Sequence, residues 1–270
     1  MSTTETTTHT TTGNALDPRL SKTPRVPLFR LIQVELRKLV DTRSGRWLLV
    51  AIGVITAAVV TLFLFFAPPE ELNFENFVNA TITPQAVLLP ILGILTVTSE
   101  WGQRTGLVTF TLEPNRGRVV VAKLIAVVTM GVIAVVIALG LAALGNVVGS
   151  ALQEGDGGWT FGAAGLRDIF TLQLIGVVQG LAFGMLIMNS AGAIVSYFVL
   201  PTAWGILTGT VAWFADIGKW VDLNTTQTPL TTHEMTGDAW LRLLVSVLIW
   251  VILPLALGWV RLLRRELKSA

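Results

Sequence analysis

The chain has 270 residues, of which 52% are hydrophobic and 13% charged, with a mean hydropathy of +0.68 and a net charge of +2. A typical soluble domain carries about 25% charged residues, so the composition excludes a water-soluble globular protein and predicts an all-α polytopic membrane protein. The chain has no cysteine, which excludes disulfides, a thiolate nucleophile and a thiolate metal site.

Eight of the twelve residues from Met1 to Thr12 are Thr, with single Met, Ser, Glu and His. Such a tract cannot bury enough apolar area to offset its ordering entropy, so a disordered cytoplasmic tail is expected over residues 1–26. The first apolar run starts near Trp47 and is too long for a secretory signal. From 27 to 43 the spacing predicts an amphipathic helix. Leu28, Leu31, Ile32, Leu36, Leu39 and Val40 recur at steps of three and four, opposite Arg30, Gln33, Arg37 and Lys38. A basic amphipathic helix just ahead of a span suits the inner-leaflet interface.

Six spans are expected, at about 47–66, 84–99, 119–148, 169–188, 193–214 and 241–263, the first long enough for a ~30 Å hydrocarbon core. Pro68-Pro69 ends the first. Pro84 opens the second, and Pro90 lies inside it. Ile169 to Ala215 holds 47 residues without a charge, too long for one crossing and right for two, with a turn expected at Asn189-Ser190-Ala191-Gly192. Segment 149–168 is Gly-rich and acidic, and 216–238 is polar and Trp-containing. Six spans put both termini on one side. Of the 19 Lys and Arg, 16 then fall on that side and 3 on the other, while 10 of the 17 acidic residues fall on the other. The Lys/Arg bias makes the first side cytoplasmic.

Charged residues are expected only at span ends, with Lys123, Arg242 and Arg261 snorkelling. That weighs against a proton-coupled carrier or an intramembrane protease. His233 stands alone in an outside loop and is expected to be a surface residue. Gly176, Gly180 and Gly184 in the fourth span, and Gly205 with Gly209 in the fifth, allow close helix approach, within one protomer or at a dimer seam. Gln173, Gln179 and Asn146 need partners. With Tyr197 and Trp204, the two glutamines are candidates for a substrate path, or else for glue between helices.

The most polar connection runs from Glu100 through Gln103-Arg104-Thr105-Gly106 and Glu113-Pro114-Asn115-Arg116-Gly117-Arg118 to Lys123. Together with Val34-Glu35-Leu36-Arg37-Lys38-Leu39 ahead of the first span and the six-span layout, it makes the chain resemble an ABC-2-type permease. That family supplies the membrane subunit of bacterial ATP-binding-cassette exporters, and the likeness covers nearly all of residues 28 to 268.

The resemblance implies two permease protomers, identical or related, in a bacterial plasma membrane. Each docks a cytoplasmic ATPase subunit, and no nucleic acid takes part. It makes the pre-span helix a connecting helix and residues 100–118 a coupling loop. On that basis Glu35, Arg37, Lys38, Glu100, Arg104, Thr105, Gly106, Pro114 and Arg116 are the expected ATPase-coupling residues. ATP and magnesium belong to the partner, because this chain has no Gly-x-x-x-x-Gly-Lys-Ser/Thr loop to cradle phosphates. No catalytic or metal residue is expected. The uncharged, aromatic spans suit an amphipathic or hydrophobic cargo such as a drug, antibiotic, peptide or lipid. The alternatives are a stand-alone channel or scaffold and, more remotely, a lipid-modifying enzyme. The last would need more than the acidic cluster Glu70, Glu71 and Glu75.

Overall fold

The structure, a computed structural model, describes residues 26–102, 113 and 115–264. Among these there is no strand, and six helices are long and apolar enough to cross a membrane. The chain is therefore read as a multi-pass, all-α membrane protein. The expected coupling residues Arg104, Thr105, Gly106 and Pro114 lie outside the described residues.

Helix α1 spans Leu28–Asp41 and turns directly into α2, Arg43–Phe66. Thr42 makes the corner: its backbone N–H closes α1 on Lys38, and its side chain accepts from Gly45 N at 3.2 Å to start α2. A Cβ on Gly45 would sit 1.9 Å from the Leu39 carbonyl oxygen, so only glycine permits this corner. Helix α1 buries Glu35 and Leu39 against the bundle and leaves Phe29, Val34 and Val40 exposed.

After Pro68, α3 runs Phe74–Gly102, ten residues earlier than the expected start at Pro84. The extra turns bury Phe77, Val78 and Thr81 completely, and their packing carries the helix through both Pro84 and Pro90. Helix α4, Arg116–Leu152, has 37 residues, about 55 Å at 1.5 Å per residue. It is therefore longer than the hydrocarbon core it crosses.

Helices α5 (Ala163–Ile187) and α6 (Ser190–Thr210) divide the long uncharged stretch at Met188-Asn189. Met188 adopts a left-handed conformation (φ 57°), and the Asn189 side chain accepts from Gly192 N at 2.8 Å to cap α6. The turn thus begins one residue earlier than its small-residue cluster predicts.

Two short helices follow, α7 (Ala215–Val221) and α8 (Leu223–Thr231). They are not a loose outside loop. Asp222, itself buried, caps α8 through Asn224 N and Thr225 N, and Leu223, Thr226 and Leu230 face inward. The last span begins as α9 (Gly237–Val247), makes a π-turn over Leu248–Ile252 and ends as α10 (Leu253–Arg264). Pro254 cannot donate a backbone hydrogen bond, and the helix adapts by letting Leu253 N–H reach back to Leu248 O. Trp250, on this turn, donates from Nε1 to Val221 O at 2.7 Å and so ties the span to α7.

One apolar core joins Leu39, Leu92, Val120, Val127, Val177, Leu181 and Leu262 near the α1 end. A second joins Val60, Leu64, Leu72, Phe77, Val135 and Ile169 near the opposite end. Arg116 Nη1 donates to Leu262 O at 2.9 Å and to Leu263 O at 3.4 Å, so the start of α4 and the end of α10 share the α1 end. Arg261 likewise donates to Leu186 O, near the end of α5. Each arginine satisfies carbonyls that a helix terminus leaves without partners, at the end where the dipole favours a cation.

Arg116, half-buried, thus ties the start of α4 to the end of α10. Arg116→Ala is expected to fray the last turn of α10 at a cost of about 1 kcal/mol. Faster amide hydrogen exchange at residues 260–264, with the other spans unchanged, is the readout.

Candidate functional site

Glu35 and Lys38 lie three residues apart on α1 and so share a face. That face meets the last turn of α3, which brings Glu100, and the second turn of α4, which brings Lys123. The four side chains form a closed ring of alternating charge. Lys123 Nζ lies 2.6 Å from Glu35 Oε2 and 3.0 Å from Glu100 Oε1. Lys38 Nζ lies 2.7 Å from Glu35 Oε1 and 2.6 Å from Glu100 Oε1. Lys123 gives its third proton to Thr96 O at 3.1 Å, which uses all the donors of its ammonium. The ring carries no net charge. Burial pulls the Lys38 ammonium toward deprotonation, but the carboxylates of Glu35 and Glu100 outweigh it and hold its pKa above the usual lysine value.

Three of the four charges are withdrawn from solvent: the side chains of Lys123, Glu35 and Glu100 are 4%, 5% and 8% exposed, against 34% for Lys38. This corrects the expectation that Lys123 snorkels at a span end. It is held inward by the carboxylates of Glu35 and Glu100, which are themselves buried. Among the coupling residues expected on α1, Arg37 is exposed and Lys38 half-exposed. Below the ring, Glu113 is buried and pairs with Arg118 at 2.9 Å, and Arg118 also donates to Val26 O. The ring therefore clamps three elements: α1, the end of α3 before segment 103–112, and the start of α4 after it.

At the opposite end Asp168 is fully buried at the start of α5. Arg167 Nε and Nη2 reach its Oδ1 at 2.8 and 2.7 Å, and His233 Nδ1 lies 3.4 Å from Oδ2. The Arg167 guanidinium also lies 5.0 Å from the Trp240 ring centroid. His233 is thus half-buried and does not stand alone, contrary to expectation. It sits against Asp168 and the Phe161 ring, 5.6 Å between centroids, because the turn after α8 folds back onto α5.

The polar residues expected along a substrate path divide. Gln173, Gln179 and Tyr197 line one cavity of about 210 Å³ between α5, α6 and α8. Trp204 does not line it and packs edge-on to Phe214 at 6.0 Å. The same cavity takes in Asn224 and Gln227 of α8, which nothing in their own polar segment marked as facing α5. Gln173 Nε2 donates to Ile82 O at 3.4 Å, and Asn146 Nδ2 donates to Gly157 O at 3.3 Å.

The glycines of α5 face α3. A Cβ at Gly180 or Gly184 would sit 2.1 Å from Pro90 O or 2.9 Å from Ile94 O, whereas Gly209 on α6 has open space around it. Among the described residues no group of His, Asp and Glu is arranged to hold a metal. Compared with known proteins, the chain matches no family model and no curated protein.

Proposed function

We propose that this chain is the membrane-spanning permease subunit of an ABC-2-type exporter, which works with a separate cytoplasmic ATPase. The observation that carries this reading is the charge ring. A helix that lies beside a bundle is useful as a lever only if it moves with the spans it must drive. Glu35 and Lys38 fasten α1 to Glu100 and Lys123, which bracket the most polar connection in the chain. A push on α1 or on segment 103–112 would then reach α3 and α4 together. On this reading the α1 end is cytoplasmic, in a bacterial plasma membrane, and a second protomer completes the path. The ring positions the coupling elements, and contact with the ATPase falls to exposed residues such as Arg37 and to the loop around Arg104.

Tagged protein solubilised gently from its native membrane should bring down a stoichiometric ATPase with a phosphate-binding loop. Arg37→Glu with Arg104→Glu should release that partner while the monodisperse elution profile is kept. Recovery of a folded chain without any ATPase, at low and at moderate salt, would overturn the reading in favour of a channel or scaffold.

A further inference from the structure

We infer that the cavity between α5, α6 and α8 is a binding site for an uncharged, hydroxyl-bearing ring or headgroup. It is built from Gln173 and Gln179 of α5, Tyr197 and Thr202 of α6, and Asn224 and Gln227 of α8, and none of its lining residues is charged. A charged ligand would lose its hydration there without gaining a counterion.

Gln179 gives the strongest indication. The residue is 3% exposed, and its Nε2 is buried without a hydrogen-bond partner. An orphaned buried donor is unfavourable, and a helix needing only to pack would avoid it with Leu or Met. Gln179 lines the cavity, so a turn of its carboxamide would offer that donor, which has under 1 Å² of surface of its own, to an acceptor on a bound molecule.

The rest of the wall fits the same chemistry. Side-chain carboxamides offer a donor and an acceptor side by side, the pair that neighbouring hydroxyls match. Tyr197 is held edge-on between Phe183 and Phe198, at 6.2 and 4.8 Å between centroids, so aromatic surface is available to the C–H face of a ring. Gly176 lies beneath it, where a Cβ would make an ordinary contact with the Tyr197 hydroxyl at 3.7 Å. The wall from α8 is fixed in place by the Asp222 cap and by buried Leu223 and Leu230. At about 210 Å³ the cavity is smaller than the ~300–1,000 Å³ clefts that enclose drug-sized ligands, so it takes a single ring or headgroup. Only the further step, that this group is the head of the exported cargo, rests on the permease reading.

The test uses the full chain in phosphatidylcholine nanodiscs and a photoactivatable octyl glucoside, with crosslinked residues mapped by mass spectrometry. Labelling is expected on α5, α6 and α8 around Gln179, Tyr197 and Gln227. Unlabelled octyl glucoside should displace it at least tenfold better than octyl glucuronide or octyltrimethylammonium. Gln179→Leu should lower labelling about five- to tenfold with an unchanged or higher melting temperature, and Thr202→Trp should block the cavity. Competition by methyl glucoside would place the natural ligand's source in water, and competition by the octyl compound alone would place it in the bilayer. Equal displacement by the charged probes, labelling elsewhere, no labelling, or labelling indifferent to both substitutions would overturn the site. Binding is read on this chain alone, so an absent ATPase would sink the permease reading and leave the site standing, and a failed site would leave that reading untouched.

Discussion

Lys123→Met is expected to destabilise the chain by about 3–5 kcal/mol, the range for removing one partner of a buried ion pair. Three hydrogen bonds go with the ammonium, to Glu35, Glu100 and Thr96. What remains is two buried carboxylates facing a single lysine. The loss is a large share of the ~5–15 kcal/mol that holds a typical domain together, so the melting midpoint in detergent should fall by many degrees. Lys38→Met should cost less, because that ammonium is 34% exposed and water can replace part of what it supplies. The double change Lys123→Met with Glu35→Gln removes one charge of each sign and leaves Lys38 opposite Glu100. It should recover more than half of the loss, a coupling that a double-mutant cycle measures. If Lys123→Met melts within about 1 kcal/mol of the parent, as a surface substitution would, the ring does not hold the three elements together.

Most of the fold was legible because the bilayer imposes length and composition on each crossing. The six spans and the amphipathic first helix follow from apolar runs and their period. Their ends were less legible, for physical reasons. Pro84 signals a helix start, yet buried Phe77 and Val78 extend α3 well before it. Asn189 caps α6 as its residue type suggests, but the left-handed residue that ends α5 is Met188, which carries no turn signal. The candidate sites were legible only in part. Glu35, Lys38, Glu100 and Lys123 are visible as residues, but alternation of sign around a closed ring exists only once α1, α3 and α4 meet. A lone charge at a predicted span end reads as snorkelling unless its partners are known. In the same way His233 looked isolated because Asp168 is 65 positions away in sequence. Asn224 and Gln227 looked like a solvated segment until α8 was seen against α5.

Gly180→Ala is expected to be the most damaging single-methyl change at the contact between α3 and α5. Helices α3 and α5 touch backbone to backbone. A Cβ at Gly180 would come 2.1 Å from Pro90 O, and one at Gly93 of α3 would come 2.3 Å from Val177 O. These obstacles are main-chain atoms of a buried helix pair, so neither can swing aside as a flexible side chain would. Forcing them apart would also part Leu89 and Leu92 from Val177 and Leu181, which share one core. The cost should lie at the top of the ~1–3 kcal/mol range for overpacking, or above it. Gly176→Ala meets Pro90 Cγ at 3.4 Å and the Tyr197 hydroxyl at 3.7 Å, both ordinary contacts, and should be near neutral. Gly209→Ala meets no atom within 4 Å and should leave the melting midpoint of the protomer unchanged or slightly raised. Midpoints ordered with Gly180→Ala lowest and Gly209→Ala highest would assign the α5 glycines to packing within one chain. A parent-like Gly180→Ala would sink that assignment. Loss of a dimer in Gly209→Ala, with its protomer stability intact, would place the contact between copies on α6, because that helix has free space where α5 has none.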